Sequence, residues 1–239
     1  MSENPLLPHS KLRELHALML RTRTLERKQK PGASREALLA ATSIQLLPGD
    51  LLSADTGDLT AGQLAPGARK PRTDGGVIPT AGFEARMPLC AAAARGLQAA
   101  GSEGLVLALA RAGSVEPGWV AALEWANASH LPLILAVADA TGGKPSRKYK
   151  GRESALDYQS LSRTAKRLQM PVLTVDGEDV VAVYRVMQEC VLRARMGGGP
   201  AVVWAVMTPT IETAKLPLSH QPLARLQQYM AARKIRLKA

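Results

Sequence analysis

Residues 105–143 read LVLALARAGSVEPGWVAALEWANASHLPLILAVADATGG, and their pattern decides the fold. LVLALA (105–110) and LPLILAVA (131–138) are apolar at every position instead of alternating with polar residues. A strand of that kind is covered on both faces, as in a parallel sheet between two helix layers. Between the runs, PGWVAALEWANAS (117–129) spaces its apolar residues as a helix does, with Pro117 suited to the first turn and His130 closing it. Strand, helix, strand with short turns is a βαβ unit, so the class is α/β.

The same alternation continues toward the C-terminus. QSLSRTAKRL (159–168) predicts a helix and PVLTV (171–175) a strand. EDVVAVYRVMQECVLRARM (178–196) predicts a long helix after the turn Asp176-Gly177, stopped by the Gly-Gly-Gly-Pro run at 197–200. AVVWAV (201–206) is a further apolar strand, and 221–239 an amphipathic helix with basic residues at its end. Toward the N-terminus, ARMPLCAAAARGLQAA (85–100) is apolar almost all round and predicts a helix buried on most faces. Asp50–Ser53 is a short strand candidate, and residues 10–29 and 34–47 predict helices capped by Ser10 and Ser34. Residues 54–82, rich in Gly, Pro, Asp and Thr, predict a long loop.

The expected architecture is a doubly wound, mostly parallel sheet flanked by helices, with all-helical extensions at both ends. A chain of 239 residues suffices for one such domain over 1–239. Its parts would be a helical extension at 1–48, a loop region at 54–82, a core at 85–207 and a C-terminal helix at 221–239.

Net charge is +11, which suits nucleic acid, a membrane surface or an acidic partner. Aromatic residues are 3% of the chain, and base-stacking platforms need them exposed among basic side chains, so nucleic acid is disfavoured. No apolar run reaches the roughly 18 residues that span a bilayer, and MSENPLLPHSKLRELH lacks a signal layout, so no membrane partner and a cytoplasmic location are expected. Cys90 and Cys190 sit in apolar helical contexts and read as buried packing residues. The histidines His9, His16, His130 and His220 show no metal spacing.

Taken in order, LRELHALMLRTRTLERK, SREALLAATSIQLLPGDLL, RMPLCAAAARGLQAA, LPLILAV, VDGEDVVAVYRVMQECVLRARMGGGPAVVWAV and PLARLQQYMAARKI carry a resemblance. The chain resembles the α subunit of the thiamine-diphosphate-dependent decarboxylase component of 2-oxo acid dehydrogenases, of the pyruvate and branched-chain type. The resemblance implies a thiamine-diphosphate-binding fold, with thiamine diphosphate and magnesium at the carboxyl edge of the sheet. It also implies a homo-oligomer or a β-type subunit as partner, since in the family the catalytic Glu comes from the β side.

The chain departs from that family at the cofactor site. A Gly-Asp-Gly turn and an Asn hold the magnesium there; here those positions fall on Arg111, within Ala110-Arg111-Ala112, and on Ala140. Magnesium takes oxygen ligands, and a guanidinium has donors only. Asp139 is a candidate displaced ligand. Glu84 stands where the family has a Gly near the pyrimidine, and LSADTGDLTAGQL (52–64) holds no His in place of the family's active-site loops. Arg111, Gly113 and Glu116 are the candidates for a degenerate diphosphate turn, and no catalytic residue or metal ligand is assigned. Glu116 matches the family's Gly-Asp-Gly-x-x-x-Glu-Gly turn, or reads as a charge near a helix N-terminus. Arg111 reads as a metal-free anion contact, or as a salt bridge to Glu116 or Asp139. Lys144, Arg147 and Lys148, in the basic loop KPSRKYKGR, are anion-binding candidates or a solvated charge run. The reading these residues favour is a 2-oxo acid dehydrogenase α-subunit-like protein without its usual ligands, acting as a non-catalytic, regulatory or structural paralogue. The alternatives are an active α subunit with an altered cofactor site beside a separate β subunit, and a basic anion- or nucleic-acid-binding protein.

Overall fold

The computed structural model describes residues 7–26, 35–54, 78, 86–141, 155–209 and 221–236. In chain order the elements are α1 (His9–Glu26), α2 (Glu36–Ser43), β1 (Leu51–Ser53), α3 (Arg86–Ala99), β2 (Val106–Arg111) and α4 (Trp119–Ala128). They continue with β3 (Leu133–Asp139), α5 (Tyr158–Leu168), β4 (Val172–Asp176), α6 (Val180–Arg195), β5 (Ala201–Val206) and α7 (Pro222–Ala232). All five strands are parallel, in the order β1-β2-β3-β5-β4. The fold class is the one the apolar runs predict: an α/β sheet wound on both faces.

Alternation along each strand divides the side chains between two cores. Leu105, Leu107, Leu109, Ile134, Ala136, Ala201 and Val203 face one layer, with α1, α2, α6 and α7. Val106, Ala108, Leu133, Leu135, Val137, Val202 and Trp204 face the other, with α3, α4 and α5. The winding runs β1, β2, β3 and on to β4 at the edge, then turns back to insert β5 beside β3. Each fully buried Leu or Val contributes roughly 1.5–3 kcal/mol relative to exposure, so the two cores together dominate stability. Cys90 and Cys190 are buried free thiols in opposite cores.

Several local expectations are corrected. Ser10 is inside the first turn of α1 and does not cap it, since Leu12 N already bonds Pro8 O at 3.1 Å. α2 is shorter than predicted and its cap position is Arg35, without a side-chain cap bond; Ser34 lies outside the described residues. Pro117 precedes α4 instead of opening it, because Gly118 stands between them as the N-cap with φ +73°. A side chain on Gly118 would also meet Pro88 Cγ at 2.9 Å. α3 buries one face only, through Arg86, Met87, Cys90, Ala91 and Ala94. Its remaining alanines are small enough to tolerate solvent, which an all-apolar reading overlooks. α6 begins at Val180, two residues later than the expected 178, because Asp179 caps it by accepting from the amides of Val181 and Ala182. Among the described residues, no helix is long and apolar enough to cross a membrane.

Candidate functional site

Parallel strands bring Ser53, Arg111, Asp139, Val206 and Asp176 to one edge, the carboxyl edge. Ligands of doubly wound sheets bind outside that edge. Arg111 ends β2, opposite Ala138 of β3, and is exposed. The backbone turns tightly after it: Ser114 N donates to Arg111 O at 3.0 Å, and Gly113 takes φ +79°, a value that favours glycine. The turn is laced to the strip leading into α5. Gly113 N donates to Leu156 O at 2.8 Å, Leu156 N donates to Ser114 O at 2.9 Å, and Val115 bridges Ala155.

Glu116 is buried below this turn. Arg86 Nε and Nη2 donate to its two oxygens at 3.3 and 2.5 Å, and Ser114 Oγ lies 3.4 Å away. Asp139 is also buried. Its Oδ2 accepts from Trp204 Nε1 at 2.9 Å, and its Oδ1 accepts from the amide and hydroxyl of Thr141 at 2.9 and 2.6 Å. Both carboxylates that the sequence offers to Arg111 are therefore held by other donors. Ala140 is half-buried and packs against the core on the α6 side. Glu84, Lys144, Arg147 and Lys148 lie outside the described residues, as does His220.

Farther along the same edge, an open cleft of about 550 Å³ is lined by Thr174, Asp176, Glu178, Val206, Met207 and Thr208. Asp176 Oδ1 accepts from Glu178 N at 3.0 Å, while its Oδ2 accepts from Arg225 at 2.8 Å. Glu178 in turn accepts from Thr208 N at 2.9 Å. The Arg225 guanidinium is held further into its charged form by the hydrogen bond to Asp176, against the opposing effect of burial. The turn Asp176-Gly177 fits tightly under β5, since a Cβ on Gly177 would stand 2.9 Å from Met207 Cγ.

The residue that sequence reasoning missed is Arg86. A charged first residue on an Ala-rich helix gives no sign of pointing inward, and its partner Glu116 is 30 positions away. The available signal was Glu116 itself, an acid in an apolar turn that needed a cation nearby once buried.

A sequence profile described as dehydrogenase E1 component matches residues 53–208. A stretch of 74 residues is 36% identical to the subunit alpha of the acetoin:2,6-dichlorophenolindophenol oxidoreductase of Bacillus subtilis (strain 168), covering 31% of this chain and 21% of that one. A solved structure from Mycobacterium smegmatis, assigned to the thiamin diphosphate-dependent enzymes, superposes with a TM-score of 0.54 at 17% identity, over 75% of this chain and 33% of that chain. Benzoylformate decarboxylase from Polynucleobacter necessarius superposes at 0.50 with 14% identity, over 76% of this chain and 34% of that chain. The matches thus span between 21% and 34% of the length of these relatives. At such low identity the two superpositions bear on the fold alone.

Proposed function

This chain belongs to the dehydrogenase E1 component family, and from that premise we propose that it is an α-subunit-like protein that keeps the family's sheet and has set aside its metal-dependent chemistry. Thiamine diphosphate with magnesium is the cofactor the family resemblance implies. The donor set at the carboxyl edge supports a poor fit to that group. On the family resemblance Arg111 falls at the first ligand position, and it offers only donors. On the same resemblance Ala140 falls at the second, with no side-chain oxygen, and Asp139 beside it already accepts from Trp204 and Thr141 with both of its oxygens. Magnesium demands near-octahedral oxygen ligation and loses its water reluctantly, so an edge with a guanidinium in that place is unfavourable for it. Arg111 is the single observation that carries the reading. On it the protein is a non-catalytic member with a regulatory or structural role, and no reaction step is assigned to its residues.

The matched relative from Bacillus subtilis is named as a subunit alpha, which supports a β-type subunit as partner. On that reading this chain contributes an interface and a sheet edge to a larger assembly. A second copy of the chain is the other arrangement the resemblance implies.

Calorimetric titration with thiamine diphosphate, with and without magnesium, tests the reading. No saturable heat is expected in either case. Magnesium-dependent saturation with a Kd on the order of micromolar would overturn it and establish an active subunit with an altered site. Co-purification with a β-type subunit, followed by light scattering, tests the partner.

A further inference from the structure

Arg86 enters the protein at the first residue of α3, and only 6% of it is exposed. Its guanidinium joins several segments at once. Nη1 donates to the carbonyl of Leu109 in β2 at 2.9 Å and lies 3.4 Å from Ser53 Oγ at the end of β1. Nε and Nη2 donate to Glu116, at 3.3 and 2.5 Å, in the turn that follows β2. Glu116 is 4% exposed and also approaches Ser114 Oγ at 3.4 Å. β1, β2, the 111–118 turn and the start of α3 therefore meet on one side chain.

Burying two ions is unfavourable unless their geometry is good and their remaining polar atoms are bonded. Here the pair is two-pronged, and the rest of the guanidinium finds Leu109 O and Ser53 Oγ. In the family resemblance, a divalent cation and the diphosphate it carries would organise this turn from outside. In this chain a cation reaches the turn from inside, and it is covalently part of the protein.

We propose that Arg86, bonded to Glu116, takes the place of a bound divalent cation in fixing the turn between β2 and α4, acting from beneath it alongside the backbone bonds to Leu156. The turn is then set by the protein alone and is indifferent to metal. Arg86 acts as a positioning residue for the backbone of residues 111–118. This inference relies on the family reading for where a metal would act, but not on whether the protein is catalytic.

Hydrogen exchange by mass spectrometry on the full chain tests it, following peptides that cover 111–118 in EDTA and in millimolar magnesium. For the wild type, the amides of Gly113 and Ser114 should be protected to a degree similar to β2, and equally in both buffers. Two variants accompany it: Glu116→Gln alone, and Arg86→Met with Glu116→Leu. The double variant leaves no unpaired buried charge, so it should melt within a few degrees of the wild type. Its turn should nevertheless exchange at least about tenfold faster, because the two-pronged bond that ties Glu116 to α3 is gone. Glu116→Gln should lower Tm by roughly 6–20 °C, since it leaves the guanidinium buried beside a neutral amide.

Unchanged turn exchange in the double variant would overturn the proposal. So would magnesium-induced protection of the wild-type turn, or a wild-type turn unprotected in EDTA; neither of these depends on any variant folding. Saturable binding of magnesium and thiamine diphosphate with unchanged turn exchange would sink the non-catalytic reading and leave this proposal standing. A turn unmoved by the double substitution, with no cofactor binding, would do the reverse.

Discussion

Arg195, at the end of α6, grips Asp50 with both terminal guanidinium nitrogens, at 2.6 and 3.1 Å, across the amino edge of the sheet. Asp50 is buried just before β1 and also accepts from the amides of Leu47 and Leu105, at 2.7 and 2.9 Å. One carboxylate thus ties the α2–β1 connection to the entry of β2 and to the last turn of α6. Asp50→Ala should leave two backbone donors without their acceptor and the guanidinium with only Glu103 O, and lower stability by about 3–5 kcal/mol in chemical denaturation. Asp50→Asn keeps the shape and loses the charge, so its loss should be smaller.

Two glycines predict opposite outcomes. A Cβ on Gly177 would stand 2.9 Å from Met207 Cγ, 3.0 Å from Ala205 Cβ and 3.1 Å from Val206 O. Gly177→Ala should therefore push the β4–α6 turn away from β5 and cost ~1–3 kcal/mol. Gly96, inside α3, has no atom within 4 Å of where its Cβ would be. Gly96→Ala should raise stability by about 0.5–1 kcal/mol, since glycine is the poorer helix former. Paired thermal melts of the two variants check both signs.

The thiols should report unfolding and little else. Burial pushes the Cys190 thiol up to about 12, with Glu189 reinforcing the shift. Burial also raises Cys90, against the lowering influence of Ser53 and Arg86. At pH 8 the reactive thiolate of Cys190 is then on the order of one part in ten thousand. Neither cysteine should be alkylated in the native protein, and both should react once it is denatured. Rapid native labelling of either would contradict their burial.

His16 sets an acid limb of stability. It is buried between α1 and α7, where its Nε2 lies 3.2 Å from Gln227 Nε2. Burial lowers its pKa from the ordinary value of 6.5. The unfolded chain therefore takes up a proton at a higher pH than the folded one does. The stabilising contribution is fully present above about pH 6.5 and is lost as pH falls from there through the lower folded value. The urea midpoint should decline across that window in the wild type and decline less in His16→Gln.

The fold was legible because β2, β3 and β5 announce themselves: six to eight consecutive apolar residues have no other comfortable place in a chain of this kind. β5 falls at 201–206 as read, while β2, β3 and β4 are displaced toward the C-terminus by one or two residues. The displaced residues belong to the approaches, where Pro132 O and Pro171 O accept from Val106 and Val202 before the named strands begin. The insertion of β5 between β3 and β4 was not legible, since no single segment encodes its neighbours. That Arg111 and Ala140 are without a side-chain oxygen is plain one residue at a time, and the strand pairing sets Arg111 at the carboxyl edge. The engagement of Asp139 could not be read in that way. It depends on the register that sets Val137 against Trp204, and thus on an indole 65 residues away. Arg86 escaped for the same reason, because its burial follows from packing and not from any local pattern.

The division of side chains between two cores has an optical consequence. Trp119 and Trp204 both lie on the α3–α5 side, and Trp125 rides on α4 there. Indole fluorescence consequently watches one half of the molecule. Detachment of the α1, α2 and α7 layer would pass almost unseen by emission, while exposing Cys190 in the opposite core to labelling. Emission and thiol labelling followed through the same denaturant series would tell whether the two faces of the sheet melt together or in succession.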